Sequence, residues 1–436
     1  MFKPIIADTV MFSYEKQNHT NDLAGLESMF SRIEPGIARI LEKPFNNEEI
    51  SAEEGERLFK AEGDELDALL SASDIIRLRK AGDDVSFVVT RNINFTNICY
   101  MGCRFCNFRK RFEDPEAELL SLDEIAHRAE EAWRRGATEV CIQGGLHPRV
   151  KGDHYRNILS AIKERVPDIH IHAFSPFEIW YGMKKSRCTP EEFINDLKSH
   201  GLGSMPGTAA EILDVEIRRK LTQDKLSADE WVRIVRAAHS VGLPTTSTIM
   251  YGHVDEPRHW SNHIALLRSI QKETRGFTEF VPLGFIHYDS PIYRNGEARP
   301  GPTYFENIRM HAVARLMLNG WIDNIQVSWV KMGPKLASEM LSYGVNDLGG
   351  TLMNESISRA SGAPYGQEIT PCEMVRIIRC AGRSPVRRNT LYEVVERYDS
   401  HDPEEYPPLV YRNASQSRTL SKVAAAARKA PVQLSG

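Results

Sequence analysis

From Val85 onward the chain alternates two rhythms: short apolar or β-branched runs, and longer segments whose apolar positions recur every three or four residues. The first rhythm predicts strands over 93–96, 138–143, 169–174, 201–205, 245–250, 279–285, 325–329 and 345–348. The second predicts helices between them, over 122–135, 155–165, 190–200, 228–241, 258–274, 305–318 and 335–342. Strands that alternate with crossover helices define the α/β class, and eight of them close naturally into a (β/α)8 barrel of TIM type, with a doubly wound open sheet as the alternative. Residues 1–84 read as a helical N-terminal extension, in which Ser51 followed by Glu54 is the signature of a capping box. The barrel domain then spans 85–390. Residues 391–436 form a C-terminal extension whose tail from Ser415 is basic, Ala-rich and poor in large apolar groups, a composition that predicts disorder.

Composition narrows the function classes. With 41% hydrophobic and 26% charged residues in 436, the chain is ordinary globular material. A formal net charge of -4 gives no basic face for nucleic acid, and no apolar run approaches the roughly 20 residues that cross a bilayer, so neither nucleic acid nor membrane is expected as a partner and the default compartment is the cytoplasm. Seven cysteines are too sparse for a disulfide scaffold.

Three of those cysteines carry the chemistry. In RNINFTNICYMGCRFCNFRK, Cys99, Cys103 and Cys106 follow the first predicted strand with C-x3-C-x2-C spacing. A structural zinc wants four ligands, usually as two knuckles, and no second pair occurs; a catalytic zinc with an outside histidine, or a non-catalytic zinc-stabilised binding barrel, stays open as a rival. Three thiolates on one loop can instead ligate three irons of a cubane and leave the fourth open. At the C-terminal end of a barrel strand, such a loop sits where barrel active sites are assembled. Gln143, Gly144 and Gly145 end the second strand, where glycine lets backbone approach a ligand. Polar groups recur at other strand ends: His172, Ser175 and Glu178; Thr208 and Glu211; Tyr251 and His253; His287; Ser328; and, at the eighth strand, Asn346 and Asp347.

The spacing C-x3-C-x-aromatic-C resembles the motif of the radical S-adenosylmethionine (SAM) superfamily. That resemblance implies a [4Fe-4S] cluster on Cys99, Cys103 and Cys106, with SAM chelating the open iron and being cleaved to methionine and a 5'-deoxyadenosyl radical. It implies that Phe105, flanked by Phe108, packs on adenine and that the Gln143-Gly144-Gly145 segment binds the SAM amino group, although Leu146 stands where the superfamily has Glu. Ser175 and Glu211 are further cofactor-binding candidates, the latter because SMPGTAAE reads as a turn feeding a helix N-terminus.

Longer segments, among them TEVCIQGGLHP, IHIHAFSPFEIWYG, GLGSMPGTAAEIL and FTEFVPLGFIH, resemble the tyrosine-dependent FO synthase family, the 5-amino-6-(D-ribitylamino)uracil:L-tyrosine 4-hydroxyphenyl transferases of deazaflavin (coenzyme F-420) biosynthesis. The resemblance implies hydrogen abstraction from L-tyrosine, Cα–Cβ scission and addition of the 4-hydroxybenzyl fragment to the aminouracil. Tyr251, His253, His287, Asn346 and Asp347 are candidates for substrate contacts. The radical SAM enzymes of menaquinone biosynthesis, aminofutalosine synthase and dehypoxanthine futalosine cyclase, are the alternative within the superfamily. With a single C-x3-C-x2-C in the chain, a separate ring-closing radical SAM partner is expected, along with an electron-donor protein.

Overall fold

A computed structural model describes residues 23–406 and residue 409, so the disorder expected from Ser415 falls outside the described residues. The N-terminal extension is helical over Leu23–Phe30, Pro35–Glu42, Ala52–Leu58 and Gly63–Ala81. Ser51 and Glu54 form the reciprocal capping box their spacing predicts. The same Ser/Thr-x-x-Glu device starts the helices Pro176–Ser186, Pro190–Ser199, Ala228–Ser240, Tyr304–Met317 and Pro371–Cys380, each time satisfying backbone donors that a helix start leaves unpaired.

The sheet closes on itself. Strands β1 (Asp84–Val88) and β2 (Thr90–Asn94) are two halves of one run broken at Val89. β2 pairs in parallel with β3 (Glu139–Gln143), and β3 with β4 (His170–Ala173). Single parallel bridges from His172 to Ser204 and from Met205 to Thr245 carry the ring to β5 (Thr245–Tyr251), which pairs with β6 (Phe277–Gly284). Bridges from Phe280 to Ile325 and from Gln326 to Asp347 lead to β7 (Asp347–Gly350), which pairs with β1, while Arg91 meets Met353. The barrel of the sequence reading is therefore present, with its fourth and seventh strands reduced to bridges.

One element lies outside that reading. β8 (Ser384–Arg388) runs parallel beside β1 and turns into β9 (Val394–Arg397) as an antiparallel hairpin, so residue 390 falls in the turn of this hairpin. The turn brings Arg388 and Tyr392 beneath the lumen: the Arg388 guanidinium stacks on the Tyr392 ring at 3.9 Å and pairs with Asp347 at 2.5 Å.

Side-chain alternation decides what the lumen contains. Parallel barrel strands are ordinarily apolar on both faces. Here Val140 and Ile142 are fully buried, whereas Glu139, Cys141 and Gln143 line the central cavity. Thr246, Thr248 and Met250 on β5, and Glu279, Val281 and Leu283 on β6, do the same. The lumen therefore mixes apolar walls with a few polar groups, the composition of a ligand site rather than of a packed core.

Candidate active site

The cysteine loop is held by its backbone. Beyond β2, Thr96 bridges Leu119 and Ile98 bridges Lys110, so the loop leaves and returns as a paired stem. Thr96 Oγ1 donates to Glu118 O at 2.7 Å, and the Asn97 amide bonds both Glu116 O and the Glu118 N–H. The Cys99 N–H donates to Lys110 O, Tyr100 N–H to Leu146 O and Arg104 N–H to Leu221 O, which docks the loop over the mouth between β3 and the helix Val215–Leu221.

Cys99, Cys103 and Cys106 all line one cavity of about 420 Å³ that runs down the lumen. The Cys106 N–H donates to Cys103 O at 3.2 Å, closing a turn that turns both sulfurs into the same space. Burial, then the charge of Cys103, pushes the Cys106 thiol up to about 11, and burial raises Cys99 as well. Thiols that oppose one another's ionisation in a buried pocket become ligands together only around a positively charged metal core, and this donor set fits one. Among the described residues no three His, Cys, Asp or Glu side chains converge on a point sized for a single ion. Ligands that each serve a different iron of a cubane stand farther apart than that.

The remaining cofactor candidates gather at the same mouth. Phe105, Gln143, Gly144, Gly145, Ser175 and Glu211 all line the cavity. Glycine is required at two of them: a Cβ on Gly144 would meet the Phe95 ring at 2.6 Å, and one on Gly145 would meet Ile98 O at 2.5 Å. Glu178 ties the segment to its neighbour, accepting from the Gly144 N–H at 2.9 Å through one oxygen and from the Ser175 N–H and hydroxyl at 2.8 and 2.7 Å through the other. Burial pushes the Glu178 carboxyl up to about 7 against the pull of those donors. The fold then holds a proton that the unfolded chain releases near pH 4.5, so this group's contribution to stability is complete below that value and declines as pH rises through 7. In chemical unfolding, the stability of Glu178→Gln relative to wild type is expected to improve by about 3 kcal/mol between pH 4.5 and 8. A difference that stays flat across that range would contradict the assignment.

Lys225, which no sequence pattern singles out, completes this end. With its side chain largely buried, it forms an ion pair with Glu211 and sits 5.3 Å from the centres of both the Phe105 and Phe177 rings. Burial works against the Glu211 carboxylate, yet Lys225 keeps it below its ordinary range.

The substrate candidates fall elsewhere, and for identifiable reasons. Tyr251 is buried with its hydroxyl on Asn307 Oδ1 at 2.6 Å. His253 is buried, with Nε2 on Met250 O at 3.0 Å and Nδ1 accepting from the Val254 N–H. His287 packs on the rings of Tyr288 and Tyr293. None of the three lines the cavity. Asn346 and Asp347 are displaced by register: β7 begins at Asp347, so both sit at the N-terminal end of the barrel rather than its mouth. Asn346 Oδ1 accepts from Arg315 at 2.6 Å and from the Ile325 N–H at 2.9 Å, joining the seventh strand to the buried Arg315. Asn346→Ala strands both donors and is expected to cost about 2–4 kcal/mol in urea unfolding, with substrate KM unchanged.

A closed parallel barrel with a three-cysteine loop over the mouth of its first strand is the architecture of a radical SAM enzyme. The profile of the Radical SAM superfamily matches residues 93–267, and that of the CofH/MqnC C-terminal region matches residues 274–401. The fold resembles HydG, a maturase of the [FeFe]-hydrogenase, with a TM-score of 0.65 and 15% identity over 84% of this chain and 79% of that one. It likewise resembles methylornithine synthase (PylB), with a TM-score of 0.64 and 18% identity over 80% and 97%. A relative from Methanopyrus kandleri, the 5-amino-6-(D-ribitylamino)uracil–L-tyrosine 4-hydroxyphenyl transferase, is 52% identical over 346 residues, covering 77% of this chain and 94% of the relative. FO synthase from Streptomyces coelicolor is 50% identical over 368 residues, 83% of this chain but 42% of that longer protein. The chain belongs to the radical SAM family of these 4-hydroxyphenyl transferases.

Family membership implies a [4Fe-4S] cluster and SAM. No helix among the described residues is long and apolar enough to cross a membrane.

Proposed function

We propose that the protein joins the 4-hydroxybenzyl group of L-tyrosine to 5-amino-6-(D-ribitylamino)uracil, the radical SAM step of FO biosynthesis. The observation that carries this reading is the 52% identity spread over 94% of a transferase of that name, in a chain whose cysteine loop opens onto a single deep lumen. Cys99, Cys103 and Cys106 would hold the cluster, and Phe105 with the backbone of Gly144 and Gly145 would frame SAM. When bound, these groups supply a carbon-centred radical able to take hydrogen from tyrosine.

The chain's own contribution is positioning and exclusion of water. Phe177, Val281, Leu283, Phe285 and Leu352 give the cavity apolar walls that keep a benzylic fragment from solvent. Lys225 and Glu211 place a fixed ion pair beside the cysteine loop, where a zwitterionic amino-acid group has to be held. A separate radical SAM enzyme closes the deazaflavin ring, an electron-donor protein reduces the cluster, and the reaction takes place in the cytoplasm.

The test is an anaerobic incubation of reconstituted protein with SAM, a reductant, tyrosine and ribitylaminouracil, read by mass spectrometry. The expected result is 5'-deoxyadenosine together with a hydroxybenzyl–aminouracil adduct. An adduct formed only when futalosine precursors replace these substrates would overturn the assignment.

A further inference from the structure

The lumen has a second, chemically different half. Glu139 lies four residues before Gln143 on β3, roughly 13 Å further from the mouth. At that depth the cavity is lined by Glu139, Thr246, Glu279, Gln326 and Arg388. Thr90 Oγ1 donates to Glu139 at 2.9 Å, and Gln326 Nε2 and the Tyr392 hydroxyl donate to Glu279 at 2.9 and 2.5 Å. One level up, Asn92 faces the same cavity and its Oδ1 has no hydrogen-bond partner. The hairpin that carries Arg388 lies at this end, and Arg388 and Thr390 line the cavity here, at the opposite end from the cysteine loop.

The charge there is one-sided. Glu139, Glu279 and Asp347 are carboxyl groups, Glu279 pushed toward its neutral form by burial, and burial leaves His172 neutral by pushing it down to about 4. Arg388 is the cation lining this level, and it is already engaged by Asp347 at 2.5 Å, by Glu279 at 3.5 Å and by the Tyr392 ring. Carboxylates and amides at close spacing recognise hydroxyl groups, which donate to them; they repel a phosphate, which needs a cation or unpaired N–H donors.

We propose that this floor is a polyol subsite: Glu139, Glu279, Gln326 and Asn92 hold the hydroxylated side chain of the aminouracil and exclude its phosphate ester. The inference rests on the function proposed above. Tyrosine must present its amino-acid end to the cysteine loop, and the aminouracil must meet the fragment that tyrosine loses. With the cysteines at one end of the cavity and Glu139 and Glu279 at the other, the aminouracil lies deeper, and its ribityl chain, pointing away from the reacting ring, reaches the floor.

Anaerobic calorimetry on the reconstituted protein tests this with three probes: ribitylaminouracil, its terminal phosphate ester, and 5-amino-6-(methylamino)uracil, which lacks the chain. Wild type is expected to bind the ribityl compound at least roughly tenfold tighter than either other probe. Glu279→Gln and Asn92→Ala should each weaken the ribityl compound by roughly tenfold while leaving the methylamino compound unchanged. Asn92→Ala guards against misfolding, because the side-chain oxygen it removes is unpartnered. Variants that weaken both compounds equally, or a wild type that takes the phosphate ester as well as the free polyol, would overturn the subsite while leaving the adduct assay intact. A wild type that yields no adduct and binds none of the probes would remove the function and the subsite together.

Discussion

Cys103→Ala is expected to lose the cluster and all SAM cleavage while unfolding within about 0.5 kcal/mol of wild type. The separation of these effects follows from how the loop is built. Its position is set by main-chain bonds from Cys99 to Lys110, Arg104 to Leu221 and Cys106 to Cys103, and alanine keeps every one of them. Cys103 sits at the edge of the core and lines the cavity, so removing its sulfur opens no sealed void. What disappears is one of three ligands for which no other thiol can substitute: of the remaining cysteines, Cys141 lines the cavity from the middle of β3, and Cys188, Cys372 and Cys380 do not line it. Iron analysis, the visible absorption of the reconstituted protein and chromatography for 5'-deoxyadenosine read the loss, and a urea titration reads the fold. A variant with wild-type iron content would refute the ligand assignment. A variant that fails to fold would show instead that the loop supports the barrel.

The parts of this architecture legible in the sequence are those with a local cause. Ser51 and Glu54, or Ser175 and Glu178, lie within one helical turn, so their spacing announces a capping box and the structure forms it. The cysteine triplet is equally local. Strands β3, β5 and β6 are long enough for their β-branched and apolar runs to show. The fourth and seventh barrel strands shrink to bridges at Ser204–Met205 and Ile325–Gln326, because the chain turns away as soon as its neighbours are paired. The hairpin β8–β9 escaped notice because SPVRR and VVER carry arginines and a proline that read as surface.

Register is where local reading fails outright. A shift of two residues places Asp347 at the start of β7 rather than within it, and that moves Asn346 and Asp347 from the mouth of the barrel to its base. Lys225 and Arg388 reach the lumen from a loop and from a C-terminal hairpin, so only the closed fold shows that they share a cavity with Cys103. A signal for the floor was nevertheless present. In TEVCIQ, polar residues alternate with apolar ones, and in TEFVPLG a lone glutamate precedes an apolar run; polar groups inside strands that a barrel buries on both faces mark a lumen built to hold something polar.

Gly145→Ala is expected to lower SAM-dependent turnover by about a hundredfold or more, although it adds a single methyl group. The added Cβ would lie 2.5 Å from Ile98 O and 2.9 Å from both Ile98 C and Cys99 Cβ, and two of those three atoms are backbone. Backbone cannot yield as a flexible side chain would. Gly145 cannot retreat freely either, because its N–H donates to Thr96 O at 2.8 Å and the preceding Gly144 N–H is held by Glu178. The strain, of order 1–3 kcal/mol for an overpacked site, is therefore relieved by pushing the stem of the cysteine loop away from β3. A shift of about 1 Å there moves Cys99 relative to Cys103 and Cys106 and misplaces whatever the cysteines hold against the lumen below. The expected pattern is intact secondary structure, a melting temperature lowered by a few degrees, reduced cluster occupancy after reconstitution, and a kcat loss far larger than any change in tyrosine KM. Gly144→Ala provides the internal comparison: its Cβ would meet the ring of Phe95 rather than backbone, so it strains the side-chain packing of Phe95 against Tyr155 and Phe174 and leaves the cysteine stem in place, and its turnover should fall less. If Gly145→Ala keeps wild-type cluster content and turnover, the close approach of β3 to the cysteine loop has no part in holding the site.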